Sequence, residues 1–93
     1  MYPKSQPTYE RQGPITRARV VFYGRTQLEA LESARSAGQR FANALPTSVS
    51  CRPASYAGFD EEAGRHSAAL VVAFGVTDSE VTRQRISEVL DAL

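Results

Sequence analysis

Two short stretches of the sequence have the layout of an anion-binding turn. Gly24 precedes Thr26 at the end of one apolar run, and Gly75 precedes Thr77 at the end of another. Free N–H groups at a helix N-terminus attract phosphate. Neither stretch contains the glycine-rich motifs G-x-G-x-x-G or G-x-x-x-x-G-K-[ST]. Since Thr26 and Glu29 have the spacing of a capping box, we interpret both turns as helix caps.

The two stretches also match each other. With a shift of 51 residues, VVFYGRTQLE at 20–29 aligns with VVAFGVTDSE at 71–80, and five of the ten positions are identical. Duplication and convergence both explain the match. Either origin predicts two strand–turn–helix units of the same build.

A histidine, a cysteine and a group of carboxylates could support catalysis or metal binding. His66 could act as a base or metal ligand with Asp60, Glu61 or Glu62, and Cys51 could be a nucleophile activated by His66. One histidine in a glycine-containing loop is a weak pattern, and a cysteine in the middle of a strand is usually buried and inert. We therefore predict no catalytic residue, no metal site, no cofactor and no enzymatic activity.

Arginine is the strongest signal for binding. Ten of the eleven basic residues are arginine; residues 1–52 carry eight basic and three acidic side chains, and residues 53–93 carry three and seven. Arginine binds phosphate and carboxylate in bidentate fashion. Arg17 and Arg19 share a strand face with Tyr23, which suits phosphate contact and base stacking, provided that the acidic half faces away. The candidate nucleic-acid contacts are Arg17, Arg19, Arg25 and Arg52.

Apolar periodicity predicts alternating strands and helices around these residues. The predicted strands are 16–23, 47–52 and 67–75, the predicted helices are 26–45 and 77–93, and the segment 54–66 is predicted to be a loop. This β-α-β-β-α order predicts an α+β two-layer sandwich. It corresponds to a truncated ferredoxin-like fold, with an antiparallel or mixed sheet and two helices on one face.

The chain is predicted to have a single domain with an arm. Residues 1–14 contain three prolines and few apolar side chains, so we expect a flexible N-terminal arm before an α/β domain at 15–93. Without a fourth strand, the first strand would have an open edge. The arm, a second subunit or a strand from a partner could cover it.

The third strand adds a second reason to expect an interface. Its run Ala68–Phe74 is apolar at every position, which is typical of burial on both faces. We therefore predict a homodimer that associates through the sheet edge or outer face. The predicted interface residues are Arg17, Arg19, Val21 and Tyr23.

These observations favour a small non-enzymatic interaction protein, accessory or inhibitory in role, that binds another macromolecule. The alternatives are an RNA- or DNA-binding module and a regulatory domain that binds a small ligand between subunits. The single cysteine excludes an internal disulfide and suits a reducing cytoplasm. The longest apolar run is too short to span a bilayer, and we expect no membrane partner and a cytoplasmic location. The small size suits a phage or mobile-element protein.

Overall fold

The computed structural model describes residues 4–46, 48–75 and 79–93, which form five strands and two helices. The strands are β1 (Thr8–Gln12), β2 (Ile15–Gly24), β3 (Ser50–Cys51), β4 (Ser55–Asp60) and β5 (Arg65–Gly75), and the helices are α1 (Gln27–Ala44) and α2 (Ser79–Asp91). The predicted α+β class is confirmed. The predicted starts of the second strand at Thr47 and of the second helix at Thr77 lie outside the described residues.

The strands form one antiparallel sheet in the order β1-β2-β5-β3, with β4 also paired to β5. β3 and β4 lie along the same edge of β5, separated by Arg52, Pro53 and Ala54. In the central pair, Arg19 of β2 stands opposite Val71 of β5. All the strand pairs are antiparallel, so a mixed sheet, which the sequence left open, is not formed.

One face of the sheet, which we call the inner face, builds the core. Alternate residues of β2 and β5 point to it and are buried: Thr16, Ala18, Val20, Phe22, Ala68, Leu70, Val72 and Phe74. They pack in one cluster with Ala30, Ala34, Ala37 and Phe41 of α1 and with Ile86 and Leu90 of α2. Both helices therefore cover the inner face. Neither described helix has the length and apolar character needed to cross a bilayer.

Helix α1 begins where the capping box predicted. The Thr26 side chain accepts a hydrogen bond from the Glu29 N–H at 3.1 Å, which satisfies one of the free donors of the first turn. The helix ends at Ala44, and Pro46 follows the capping residue Leu45. A proline disfavours helical backbone in the residue before it, which explains this end.

The N-terminal segment forms a strand, although the sequence predicted a flexible arm. β1 pairs with β2 through a two-residue connection, Gly13-Pro14, in which Gly13 has φ 58°. A glycine with positive φ at the first central position suits a hairpin turn. Tyr9 of β1 is anchored to α2, because the Arg83 guanidinium lies 4.2 Å from its ring centroid. β1 thus covers the edge of β2, which is the first of the three covers that the sequence left open.

The segment predicted as the loop 54–66 contains a strand and a tight hairpin. β4 pairs with β5 from Ser55 to Asp60, with an irregularity between Tyr56 and Gly58, where Gly58 has φ 107°. The two glycines and the acidic run suggested a loop. Gly58 instead lies at a bulge, and a bulge bends a strand without ending it.

Candidate functional site

The outer face, defined as the side of the sheet opposite the helices, carries all four predicted interface residues. In the register of β2 and β5, Arg17 lies opposite Ala73, Arg19 opposite Val71, Val21 opposite Ala69, and Tyr23 opposite Ser67. Every second residue of a strand points to the same side, and these β2 side chains are all at least partly exposed. The sequence prediction that they share one face is confirmed by this register.

Arg52 joins this face from the opposite edge of β5. Its N–H donates a hydrogen bond to the Val71 carbonyl at 2.9 Å, so it continues the pairing of β3 with β5. Arg19 and Arg52 therefore flank Val71 from two sides. A shallow depression of about 460 Å³ is lined by Thr8, Tyr9, Glu10, Arg17, Arg19, Arg52 and Val71.

The outer face is positively charged at its centre. Glu10 of β1 stands opposite Arg17 in the strand register, and the Arg17 guanidinium donates a hydrogen bond to the Gln12 side-chain amide oxygen. Within residues 4–46, 48–75 and 79–93, the one ion pair joins Arg25 and Glu29. The guanidinium groups of Arg19 and Arg52 thus have no carboxylate partner among the residues described.

Arg25 does not belong to this surface. It follows the end of β2, its side chain is 91% exposed, and its Nε lies 4.0 Å from the Glu29 carboxylate. The predicted nucleic-acid set therefore divides into two parts. Arg17, Arg19 and Arg52 lie together on the outer face, whereas Arg25 lies at the N-terminal turn of α1.

The turn at Gly24 allows β2 and α1 to pack closely against each other. A Cβ atom placed on Gly24 would lie 2.5 Å from the Ala30 nitrogen and 2.9 Å from the Glu29 carbonyl carbon. Only a glycine lets β2 and α1 approach this closely. Because Thr26 already accepts from the Glu29 N–H, the capping interpretation is confirmed here. Its counterpart at Thr77 lies outside the described residues.

His66 belongs to an aromatic cluster that the sequence did not predict. Its Nδ1 lies 2.8 Å from the Tyr56 hydroxyl, and the Phe59 ring meets it edge-on with centroids 5.1 Å apart. Asp60 is engaged in the hairpin, where its carboxylate accepts from the Ala63 N–H at 3.1 Å. Among the described residues, no three His, Cys, Asp or Glu side chains are grouped to hold a metal ion. The aromatic residues Tyr56 and Phe59 in SYAGFD, which have high strand propensity, are the signal that could have revealed β4.

Cys51 and His66, the nucleophile and base considered from the sequence, are too far apart to act together. Cys51 pairs with Val72, six residues along β5 from His66, a separation of about 20 Å in a strand. Burial raises the pKa of the Cys51 thiol. Since the thiolate is the reactive form, this shift makes the side chain a weaker nucleophile at neutral pH.

Two outer-face residues were missed from the sequence because their strand was missed. Thr8 and Glu10 stand beside Arg19 and Arg17 only because β1 pairs with β2. The proline-flanked TYERQ segment is mostly polar, and only Thr8 and Tyr9 in it are of the branched and aromatic types that usually mark a strand. Its pairing depends on the turn at Gly13.

No protein-family model, curated protein or solved structure matches this chain.

Proposed function

We propose that the protein is a non-enzymatic interaction module that binds another macromolecule through the outer face of its sheet. The observation that carries this proposal is the asymmetry of the sheet. The helices cover the inner face, whereas Arg17, Arg19 and Arg52 surround a partly exposed Val71 on the outer face. A strand as apolar as β5 is normally buried on both sides. A partner bound to the outer face would bury the side that the helices do not cover.

The edges of the sheet are poorly suited to pairing with another strand, which favours the outer face as the binding surface. β1 is five residues long, polar, and flanked by Pro7 and Pro14. The opposite edge is interrupted by Pro53 and by the irregularity before Gly58. Short strands, prolines and bulges are the features by which proteins prevent edge pairing.

A second copy of the chain is another candidate occupant of this face. Val21, Val71 and Ala73 are partly exposed at its centre, so two copies packed face to face would bury apolar surface. The same packing would bring Arg17, Arg19 and Arg52 of both copies together. Because like charges oppose this contact, we propose that homodimerisation through the outer face is weak and that salt strengthens it.

We further propose that the fold is a variant of the ferredoxin-like plan. In that plan two β-α-β units build a four-stranded antiparallel sheet. β2, β5 and the combined β3–β4 edge would be three of its strands, and β1 would take the position of the fourth beside β2. The supporting observation is that β1 is antiparallel to β2, as a fourth strand would be.

Charge complementarity predicts an anionic partner, which a heparin column tests with a generic polyanion. Arg19→Glu with Arg52→Glu is expected to elute at clearly lower salt than the natural protein, because two free guanidinium groups are lost from the proposed surface. Arg40→Glu with Arg85→Glu is the matched control. Both of these arginines are exposed on helices, and the change in net charge is the same.

The control variant should elute close to the natural protein. Equal loss of retention by both double variants would show that net charge alone governs binding, and would contradict a surface on the outer face. Circular dichroism of both variants verifies that the fold is unchanged.

A further inference from the structure

We infer that the macromolecule bound by the outer face is a single-stranded nucleic acid, with Arg17, Arg19 and Arg52 on its phosphates and Tyr23 against an unpaired base. This inference rests on the proposed function of the outer face and specifies the partner's class. Four features of the face support it: the spacing of the arginines, a shallow floor, a partly exposed aromatic residue, and the position of the acidic side chains.

The arginines are spaced like the phosphates of an extended nucleic-acid strand. Arg17 and Arg19 are two residues apart on one face of β2, which separates their Cα atoms by about 7 Å. Arg52 lies two strands away from Arg19, across Val71, or about 10 Å. Long, planar guanidinium groups at these distances can each contact a different phosphate.

The floor between the arginines is shallow because no large side chain of β5 projects from it. The outer-face residues of β5 are Ser67, Ala69, Val71 and Ala73, of which Ser67 and Ala69 are buried and Val71 and Ala73 are partly exposed. A backbone of sugars and phosphates can lie across such a floor without displacing side chains. The described outer face carries no helix, and a helix is an element that commonly enters the major groove of a duplex. The shape of the face therefore favours a single strand over a double helix.

Tyr23 provides a stacking surface on the same face. It lies four residues from Arg19 along β2 and its ring is partly exposed. Stacking of a base on an aromatic side chain requires that the base is unpaired, and it tolerates any sequence. A tyrosine beside arginines on an open sheet is thus suited to a single strand with little sequence preference.

The fold keeps most of the described acidic side chains away from this face. Glu80, Glu88 and Asp91 lie on α2, which covers the inner face, and Glu61 and Glu62 lie in the hairpin turn before β5. The strand register places two described carboxylates on the outer face: Glu10, opposite Arg17, and Asp60, opposite Arg65 at the far end of β5, where it accepts from the Ala63 N–H. Most of the described carboxylates, which would repel phosphate, therefore lie away from Arg19 and Arg52.

Fluorescence anisotropy with labelled 12-nucleotide oligo(U) and oligo(dT) tests this inference, with a duplex of the same length as the comparison. We expect both single strands to bind more tightly than the duplex, because phosphates and unpaired bases are common to RNA and DNA. Comparison of oligo(U) with oligo(dT) shows which sugar is preferred. With three phosphate contacts, the slope of log affinity against log salt should be about −2.

The variants assign this binding to residues. Arg19→Glu with Arg52→Glu should weaken binding at least about tenfold and flatten the salt dependence, and Tyr23→Ala should weaken it about tenfold. Glu10→Gln should tighten it, since it removes the carboxylate beside Arg17. Arg40→Glu with Arg85→Glu should bind within about twofold of the natural protein.

Tighter binding to the duplex, no binding to either single strand, or equal weakening by both double variants would overturn the inference. Retention on heparin separates this failure from failure of the proposed function. If heparin retention still depends on Arg19 and Arg52 while the oligonucleotides do not bind, the outer face binds a different anionic macromolecule. If neither depends on these arginines, the proposed function fails as well.

Discussion

Replacing Gly24 by alanine is expected to lower the free energy of unfolding by about 3 kcal/mol, the upper end of the usual cost of overpacking. The new methyl group would lie 2.5 Å from the Ala30 nitrogen and 2.9 Å from the Glu29 carbonyl carbon. Both atoms belong to the backbone of α1, so no side-chain rotation can relieve the clash. Urea unfolding followed by circular dichroism measures the change.

Gly38→Ala is the matched control for this prediction. Its new methyl group would lie 3.3 Å from Leu70 Cδ1, and that end of a leucine side chain can move. Alanine also gains up to about 1 kcal/mol of helix propensity over glycine. We therefore expect Gly38→Ala to change stability by less than about 1 kcal/mol. A Gly24→Ala protein as stable as the natural one would contradict the close approach of β2 and α1.

Removing residues 1–12 is expected to destabilise the protein by at least about 2 kcal/mol and to make it self-associate at low salt. The truncation deletes all five residues of β1 that pair with β2. It also removes Tyr9, which packs against the core and under the Arg83 guanidinium. The exposed edge of β2 would then offer unpaired N–H and C=O groups beside apolar residues, a template for edge pairing. Light scattering after gel filtration, together with urea unfolding, measures both effects.

Tyr9→Ala separates the two effects of this truncation. It removes the aromatic contact but keeps the strand, so it should be less stable than the intact chain without forming edge-paired species. The intact chain at low salt is the reference, and we expect it to be largely monomeric because the arginines of two outer faces repel. A truncated chain that remains monomeric and equally stable would show that β1 does not protect the edge of β2.

The sequence predicts the elements whose patterns are local and strong. The run from Val20 to Tyr23 consists of branched and aromatic residues, and Thr26 and Glu29 mark the start of a helix, so β2 and α1 were predicted to within a few residues. The apolar run Ala68–Phe74 likewise identified β5. Of the proposed binding residues, Arg17, Arg19 and Tyr23 could be assigned to one face because they share the period of a strand.

The parts that were not predicted depend on pairing partners distant in sequence. β1 is polar and flanked by prolines, and it is a strand because the turn at Gly13 places it beside β2. β4 was obscured by Gly58, whose backbone conformation suits a bulge. Arg52 could be suggested as a contact from its residue type alone. Its position across Val71 from Arg19 depends on the order of the strands, which the sequence did not predict.

The most direct test of the proposed outer-face surface is an NMR titration of ¹⁵N-labelled protein with single-stranded oligo(U). We predict that the largest amide and guanidinium shifts occur at Arg17, Arg19, Val71 and Arg52, and that the exposed residues of α1 and α2 change little. Largest shifts on the helices, or around Tyr56, Phe59 and His66, would contradict the assignment of binding to the outer face.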